Sequence, residues 1–297
     1  MFIWIPITIA AAFFQNLRFM LQKQLKSRLS TLGVTVSRFL YAAPMAWIIL
    51  ALFLSRDGTK WPGITFEFLI YGAIGGVAQI VATAMLVALF SLKNFAVGVT
   101  FIKTETMMTA ILSGLILGEF IGPGGWVAIL ITVVGVLLIS GVPETGNLLR
   151  NLVSRPALIG VGAGVIFALA SIAYRAASLA LEQGDFLIRA TVSLAVVTTF
   201  QTVIMVIWMA IREPGEILNV LRHWRICVWV GLTGMLGTLG WFSAFTLQNA
   251  AYVKALGQIE LVFTLFASYF FFGERSTKAE LTGIAFVVAG ILIVVLI

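Results

Sequence analysis

A chain of 297 residues with 61% hydrophobic side chains, 10% charged ones and a mean hydropathy of +1.08 lacks the polar surface that a water-soluble fold of this size needs, so its solvent is lipid. The net charge of +7 does not point to nucleic acid, because the basic residues are scattered in short connections with no basic stripe or aromatic platform. One cysteine, Cys227, and one histidine, His223, exclude an intramolecular disulfide and a Cys/His metal cluster, and no cofactor is expected.

Apolar runs of about twenty residues recur along the chain, the length a helix needs to cross about 30 Å of hydrocarbon. The weakly alternating segments of about ten residues that mark a β-barrel are missing. The first run, MFIWIPITIAAAFF, has no basic region before it and reads as a span at about 2–22, not as a cleaved signal. Spans follow at about 32–54, 64–90, 95–117 and 123–143, then at about 157–181, 186–211, 222–247, 251–272 and 277–296. The longest polar connections run between Glu144 and Arg155 and between Arg212 and Arg225, so no soluble domain is expected outside the bilayer.

A shift of 155 positions aligns the segment from Phe90 with the segment from Phe245 without a gap. Asn94 then meets Asn249, Glu105 meets Glu260, Thr109 meets Thr264, and Ser113 meets Ser268. Gly118 and Glu119 meet Gly273 and Glu274, and Gly135 meets Gly290 in the next span. Earlier in each half the match is looser, with Arg18 answering Arg175 and Arg38 answering Arg189. Five spans per copy is an odd number, so the second copy enters the membrane upside down. The expected fold is an all-α integral membrane protein of ten transmembrane helices, built from two inverted five-helix repeats over 1–143 and 156–297.

A charge at the bilayer centre costs about 2.5–3.5 kcal/mol on insertion scales, so intramembrane charges face a cavity or a partner. Arg18, Arg38, Lys103, Glu105, Arg175, Arg189, Lys254 and Glu260 are such charges. The repeat mates Glu105 and Glu260 are the leading candidates for substrate binding or proton coupling, as countercharge for an amino group or as proton carriers. The alternative is a fixed structural pair with an arginine such as Arg18 or Arg175. Lys103 stands about 200° around the helix from Glu105, so the two are not an intrahelical pair; its repeat mate is Gln258, and a task in one half only, such as binding a carboxylate, is open to it. Lys254 is expected to snorkel. Gln15, Asn16 and Arg18 form one polar cluster, with Tyr174 and Arg175 in the corresponding place of the second half. Gln79 and Trp241 complete the candidate site, Trp241 against a packing or interfacial role. Glu119 and Glu274 follow helix-ending glycines and are expected to satisfy free N–H groups of the next helix. Gly231, Gly234, Gly237 and Gly240 form a small-residue stripe that permits close helix contact.

Ten spans in two halves, the Arg38–Phe39 pair opening the second span and the Gly-Glu pairs ending the fourth and ninth resemble the drug/metabolite transporter superfamily, specifically its EamA-like members. The resemblance covers essentially the whole chain. It implies a basket in which spans one to four and six to nine surround a central cavity, with spans five and ten peripheral. Many relatives carry a proline near the middle of the fourth and ninth spans; this chain has none there. Substrates across the family include amino acids, other metabolites, nucleotide sugars and cationic drugs.

These readings converge on a secondary transporter, an exporter of a small charged metabolite such as an amino acid, coupled to protons and working by alternating access. Efflux of organic cations is the rival within transport. An intramembrane enzyme is not expected, since His223 and Cys227 lie far from the midplane glutamates, and no GxxxxGK[ST] motif is present for ATP. A structural or receptor-like membrane module would leave the paired glutamates unexplained. The expected partners are the substrate, the bilayer and protons, with a homodimer left open, and the expected location is a bacterial inner membrane. Eleven lysines and arginines fall in the odd-numbered connections against two in the even-numbered ones. That bias makes the odd side cytoplasmic and both termini external, opposite to the usual drawing of the family.

Overall fold

The computed structural model describes residues 2–55, 61–92, 101–139, 154–263 and 277–296, and eleven helices lie within them. The first half holds α1 (Trp4–Leu25), α2 (Thr31–Leu54), α3 (Phe66–Leu89), α4 (Glu105–Leu117) and α5 (Pro123–Ile139). The second holds α6 (Arg155–Leu179), α7 (Phe186–Arg212), α8 (Glu216–Arg222), α9 (Trp224–Leu247), α10 (Ala250–Gly257) and α11 (Lys278–Leu296). Seven of them, α1, α2, α3, α6, α7, α9 and α11, are long and apolar enough to cross a bilayer. The shorter α4, α5 and α10 stand in the places of the fourth, fifth and ninth expected spans. Asn94, Thr264, Ser268, Gly273 and Glu274, together with the loop cations Arg56, Lys60, Lys93, Arg150 and Arg275, lie outside the described residues.

Several helix starts are capped by the polar residue before them. Ser30 accepts from the Gly33 N–H, Thr65 from Phe68, Ser154 from Ala157 and Asp185 from Ile188, which satisfies donors that have no partner inside the helix. α4 ends where Gly118 turns left-handed at φ 68°, a conformation that costs glycine nothing. Threonines within the spans bond back one turn, as Thr8 does to the Trp4 carbonyl, Thr191 to Leu187 and Thr198 to Leu194, so these hydroxyls are satisfied within their own helices. Large apolar side chains such as Phe66, Leu115, Ile211 and Leu296 are instead outward and exposed, the inverse of a water-soluble surface.

The helices pack by a two-fold rule. α1 lies on α9 as α6 lies on α3, and α2 lies on α9 as α7 lies on α3, while α2 meets α7 and α5 meets α11. Every one of these contacts joins one half to the other, so the repeats interlock. α5 and α11 touch mainly each other, with small contacts to α4 and α10, which is the peripheral position expected of them. Their crossing is set by the repeat mates Gly135 and Gly290: a Cβ on Gly135 would stand 2.7 Å from the Gly283 carbonyl oxygen, and one on Gly290 2.8 Å from that of Ala128.

The glycine stripe of α9 works in the same way. A Cβ on Gly240 would meet Ala11 of α1 at 2.8 Å, and one on Gly231 would collide with Tyr41 of α2. The stripe therefore brings α1, α2 and α9 close together, and with them Arg18, Arg38 and Trp241.

Candidate functional site

The fourth and ninth spans are both broken, and at the same repeat position. Residues 101–102 are helical, Lys103 and Thr104 form a turn, and α4 restarts at Glu105. In the other half α10 ends at Gly257, Gln258 and Ile259 form a turn, and the helix restarts at Glu260. The turns are tightened by bonds three residues back, Thr104 N–H to Phe101, Gln258 N–H to Ala255 and Ile259 N–H to Leu256, which is the 3₁₀ pattern that marks hinges and functional sites. The breaks need no proline. Each leaves a glutamate as the first helical residue after the turn, where the positive end of the helix dipole favours a carboxylate.

Each glutamate is ion-paired across the two halves. Glu105 of α4 lies 2.6 Å from the Lys254 ammonium of α10, and accepts a weak bond from Ser171 of α6 at 3.3 Å. Glu260 pairs with Lys103, and its other oxygen accepts from the Gln15 amide of α1 at 2.9 Å. The Gln15 carbonyl oxygen accepts from the Trp241 indole N–H at 3.0 Å. Asn16 donates to the Glu260 carbonyl at 3.2 Å, and Gln258 donates to Thr106 at 2.7 Å. The Lys254 ammonium stands 4.5 Å from the centre of the Trp241 ring, a cation–π contact that covers its free face. The two pairs and Gln258 line one cavity.

A second cavity adjoins the first and shares Gln15, Phe167, Trp241 and Lys254 with it. Arg18, Arg38, Gln79 and Tyr174 line its far side. The Tyr174 hydroxyl donates to the Gln79 carbonyl oxygen at 2.9 Å, and Gln201 donates to the same oxygen at 2.9 Å. Arg38 donates to Thr83 at 3.2 Å and to Thr238 at 3.1 Å.

The structure thus brings Glu105, Glu260, Lys103, Gln258, Asn16 and Trp241 together at the breaks, and Arg18, Gln79 and Tyr174 beside them. It separates Arg175 from that group. Arg175 forks onto Glu119, with its Nε 2.7 Å from one carboxylate oxygen and Nη2 2.6 Å from the other, and its Nη1 donates to the carbonyls of Phe245 and Gln248. This clamp ties α6 to the end of α4 and the end of α9. It corrects two expectations: Arg175 is not partnered with a midplane glutamate, and Glu119 is held by an arginine.

Lys254 does not snorkel. It is 9% exposed and paired, because α10 is cut short by the break and its last turn lies opposite Glu105. The alternative reading of Glu105 and Glu260, a fixed pair with an arginine of the same half, is not what the structure has: each pairs with a lysine of the opposite half. Arg189 sits in the first turn of α7 and donates to the Gly184 carbonyl at 3.1 Å, outside both cavities. Sequence reasoning passed over Arg38 as a site residue although its Arg-Phe pair was conspicuous, and it passed over Ser171 and Thr238, which carry no signal in an apolar helix.

A profile of the EamA-like transporter family matches the chain twice, over residues 2–141 and 155–296. No curated protein matches it. A crystal structure of another protein superposes with a TM-score of 0.73 over 99% of this chain and 96% of that one at 14% identity, a similarity of fold alone.

Proposed function

The chain belongs to the EamA-like transporter family, a multi-pass membrane protein of secondary transport, and from that premise we propose that it exports a small charged metabolite of the amino-acid kind in exchange for protons. The observation that carries this reading is the reciprocal pairing of Lys103 with Glu260 and of Lys254 with Glu105 at the two helix breaks. Each pair joins the two repeats, and rocking one repeat against the other about a midplane site is how inverted repeats alternate access.

A zwitterion has the chemistry to enter such a pair. Its carboxylate takes the lysine and its ammonium takes the glutamate, so no buried charge is left unmatched while the direct contact between the repeats opens. A proton on Glu105 or Glu260 removes the acceptor for that ammonium. Substrate and proton therefore compete for one carboxylate, and competition at a site open to one side at a time gives exchange. The same pairing counts against efflux of organic cations, since both glutamates already hold lysines. The excess of cations in the odd-numbered connections supports a topology with both termini external, and a bacterial inner membrane is our reading of the location.

Proteoliposomes loaded with amino acids, with an imposed pH gradient, test the proposal. Efflux driven by inward protons is expected, and Glu105→Gln or Glu260→Gln, each a mimic of the protonated carboxylate, is expected to lose both the proton drive and tight substrate binding. Undiminished proton drive in both variants would sink the coupling. Uptake of tetraphenylphosphonium without flux of any amino acid would install the cation reading instead.

A further inference from the structure

Three buried or half-buried cations have carboxylate partners: Lys103 with Glu260, Lys254 with Glu105 and Arg175 with Glu119. Arg18 and Arg38 have none among the described residues. Both are 3% exposed. Among the described residues the Arg18 Nε has no hydrogen-bond partner and Arg38 hydrogen-bonds to the hydroxyls of Thr83 and Thr238, while Arg18 lies over the Phe19 ring at 4.7 Å and Arg38 over the Phe39 ring at 5.2 Å; hydroxyls and rings orient a guanidinium without neutralising it. The two side chains converge on Gly234 of α9, where a Cβ would stand 3.1 Å from Arg38 Cγ and 3.4 Å from Arg18 Cδ. They line the cavity of about 380 Å³ of empty space, mouth included, that Gln79, Tyr174 and Trp241 also line.

Two like charges side by side in a low-dielectric interior repel each other and forfeit their hydration, so buried cations are ordinarily paired. The planar donor fork of a guanidinium fits the paired oxygens of a carboxylate or phosphate. We infer that Arg18 and Arg38 form an oxyanion subsite, and that the substrate is a net anion whose carboxylate or phosphate group lies between them. The part of the molecule between that group and the zwitterion held at a Lys–Glu pair is apolar, because Phe167, Phe242 and Phe245 line the same space. Gln15, Phe167, Trp241 and Lys254 border both cavities, so one molecule reaches the arginines and a Lys–Glu pair together. A membrane potential negative inside drives such an anion outward, which accords with export.

The inference rests on the transport reading only in taking the bound anion as cargo, and equilibrium binding tests it without flux. Phenylacetate, phenyl phosphate, inorganic phosphate, phenylalanine and phenethylamine are titrated into the purified full chain, followed by thermal shift. Phenylacetate or phenyl phosphate is expected to stabilise the protein, phenylalanine less, and phenethylamine not at all. The better of the two oxyanions names the group; stabilisation by inorganic phosphate as strong as by phenyl phosphate would overturn the apolar body of the ligand. Arg38→Gln is expected to weaken anion binding about tenfold or more, and Arg38→Lys to restore part of it. Where Arg38→Gln does not fold, Arg18→Lys and Arg38→Lys carry the test, each expected to bind several-fold more weakly than the native chain. Anion binding unchanged in the folded variants, or binding of phenethylamine in preference to the anions, would overturn the subsite. Anion binding that survives in a protein with no flux would count against the transport reading and leave the subsite standing.

Discussion

Lys254 of the second repeat closes on Glu105 of the first at 2.6 Å, six residues before the glutamate that is the repeat mate of its partner. Lys103, which pairs with that mate, stands only two residues before its own half's glutamate. The two-fold rule thus holds for the carboxylates and the helix breaks but not for the cations. Removing one member of a buried pair strands the other at a cost of about 3–5 kcal/mol, whereas replacing both with apolar residues is close to neutral. Lys254→Met or Glu105→Met is expected to lower the Tm clearly, and the double variant to recover most of the loss. Additive losses in thermal unfolding would show that the pair does not couple the repeats.

Arg175 and Glu119 form a clamp with at least four charge-assisted bonds. A lysine reproduces the charge but not the planar fork. Arg175→Lys is expected to cost about 2 kcal/mol or more of stability with no change in substrate affinity for the folded fraction. A loss of affinity at unchanged Tm would move Arg175 into the binding site.

The crossing of α5 and α11 tolerates no side chain at Gly135 or Gly290. Gly135→Val and Gly290→Val are each expected to destabilise by about 1–3 kcal/mol, while Gly122→Ala, which meets nothing within 4 Å, leaves the Tm unchanged. Comparable melting of all three variants would mean that the helices do not cross there.

A Cβ on Gly257 would collide with the Trp241 ring, and that ring covers the Lys254 ammonium and holds Gln15. Gly257→Ala is expected to displace the indole and weaken substrate exchange several-fold, and Trp241→Phe to weaken it less, because an aromatic face remains, smaller and without the N–H; a cation–π contact is worth about 0.5–2 kcal/mol. Native exchange kinetics in Gly257→Ala would show that Trp241 is packing and nothing more.

Hydropathy and the offset of 155 residues between the copies determined the lipid environment and the two repeats, and the matched glutamates singled out a candidate site, because burying charge in hydrocarbon is costly enough to leave few explanations for a charge that is there. Periodicity also placed the seven long spans. It did not reveal the breaks at Lys103–Thr104 and Gln258–Ile259, since no proline or glycine pair announces a turn in KTET, and only the local hydrogen bonding separates a continuous span from two half-helices. Nor could it choose partners: Glu105 and Glu260 had arginines and lysines within reach along the chain. Tertiary structure chose the lysines of the opposite half by interlocking the repeats, sent Arg175 to Glu119, and left Arg18 and Arg38 together over Gly234. A charge states its cost in one dimension, but what compensates it is fixed by distances of a few ångströms between segments far apart in the chain.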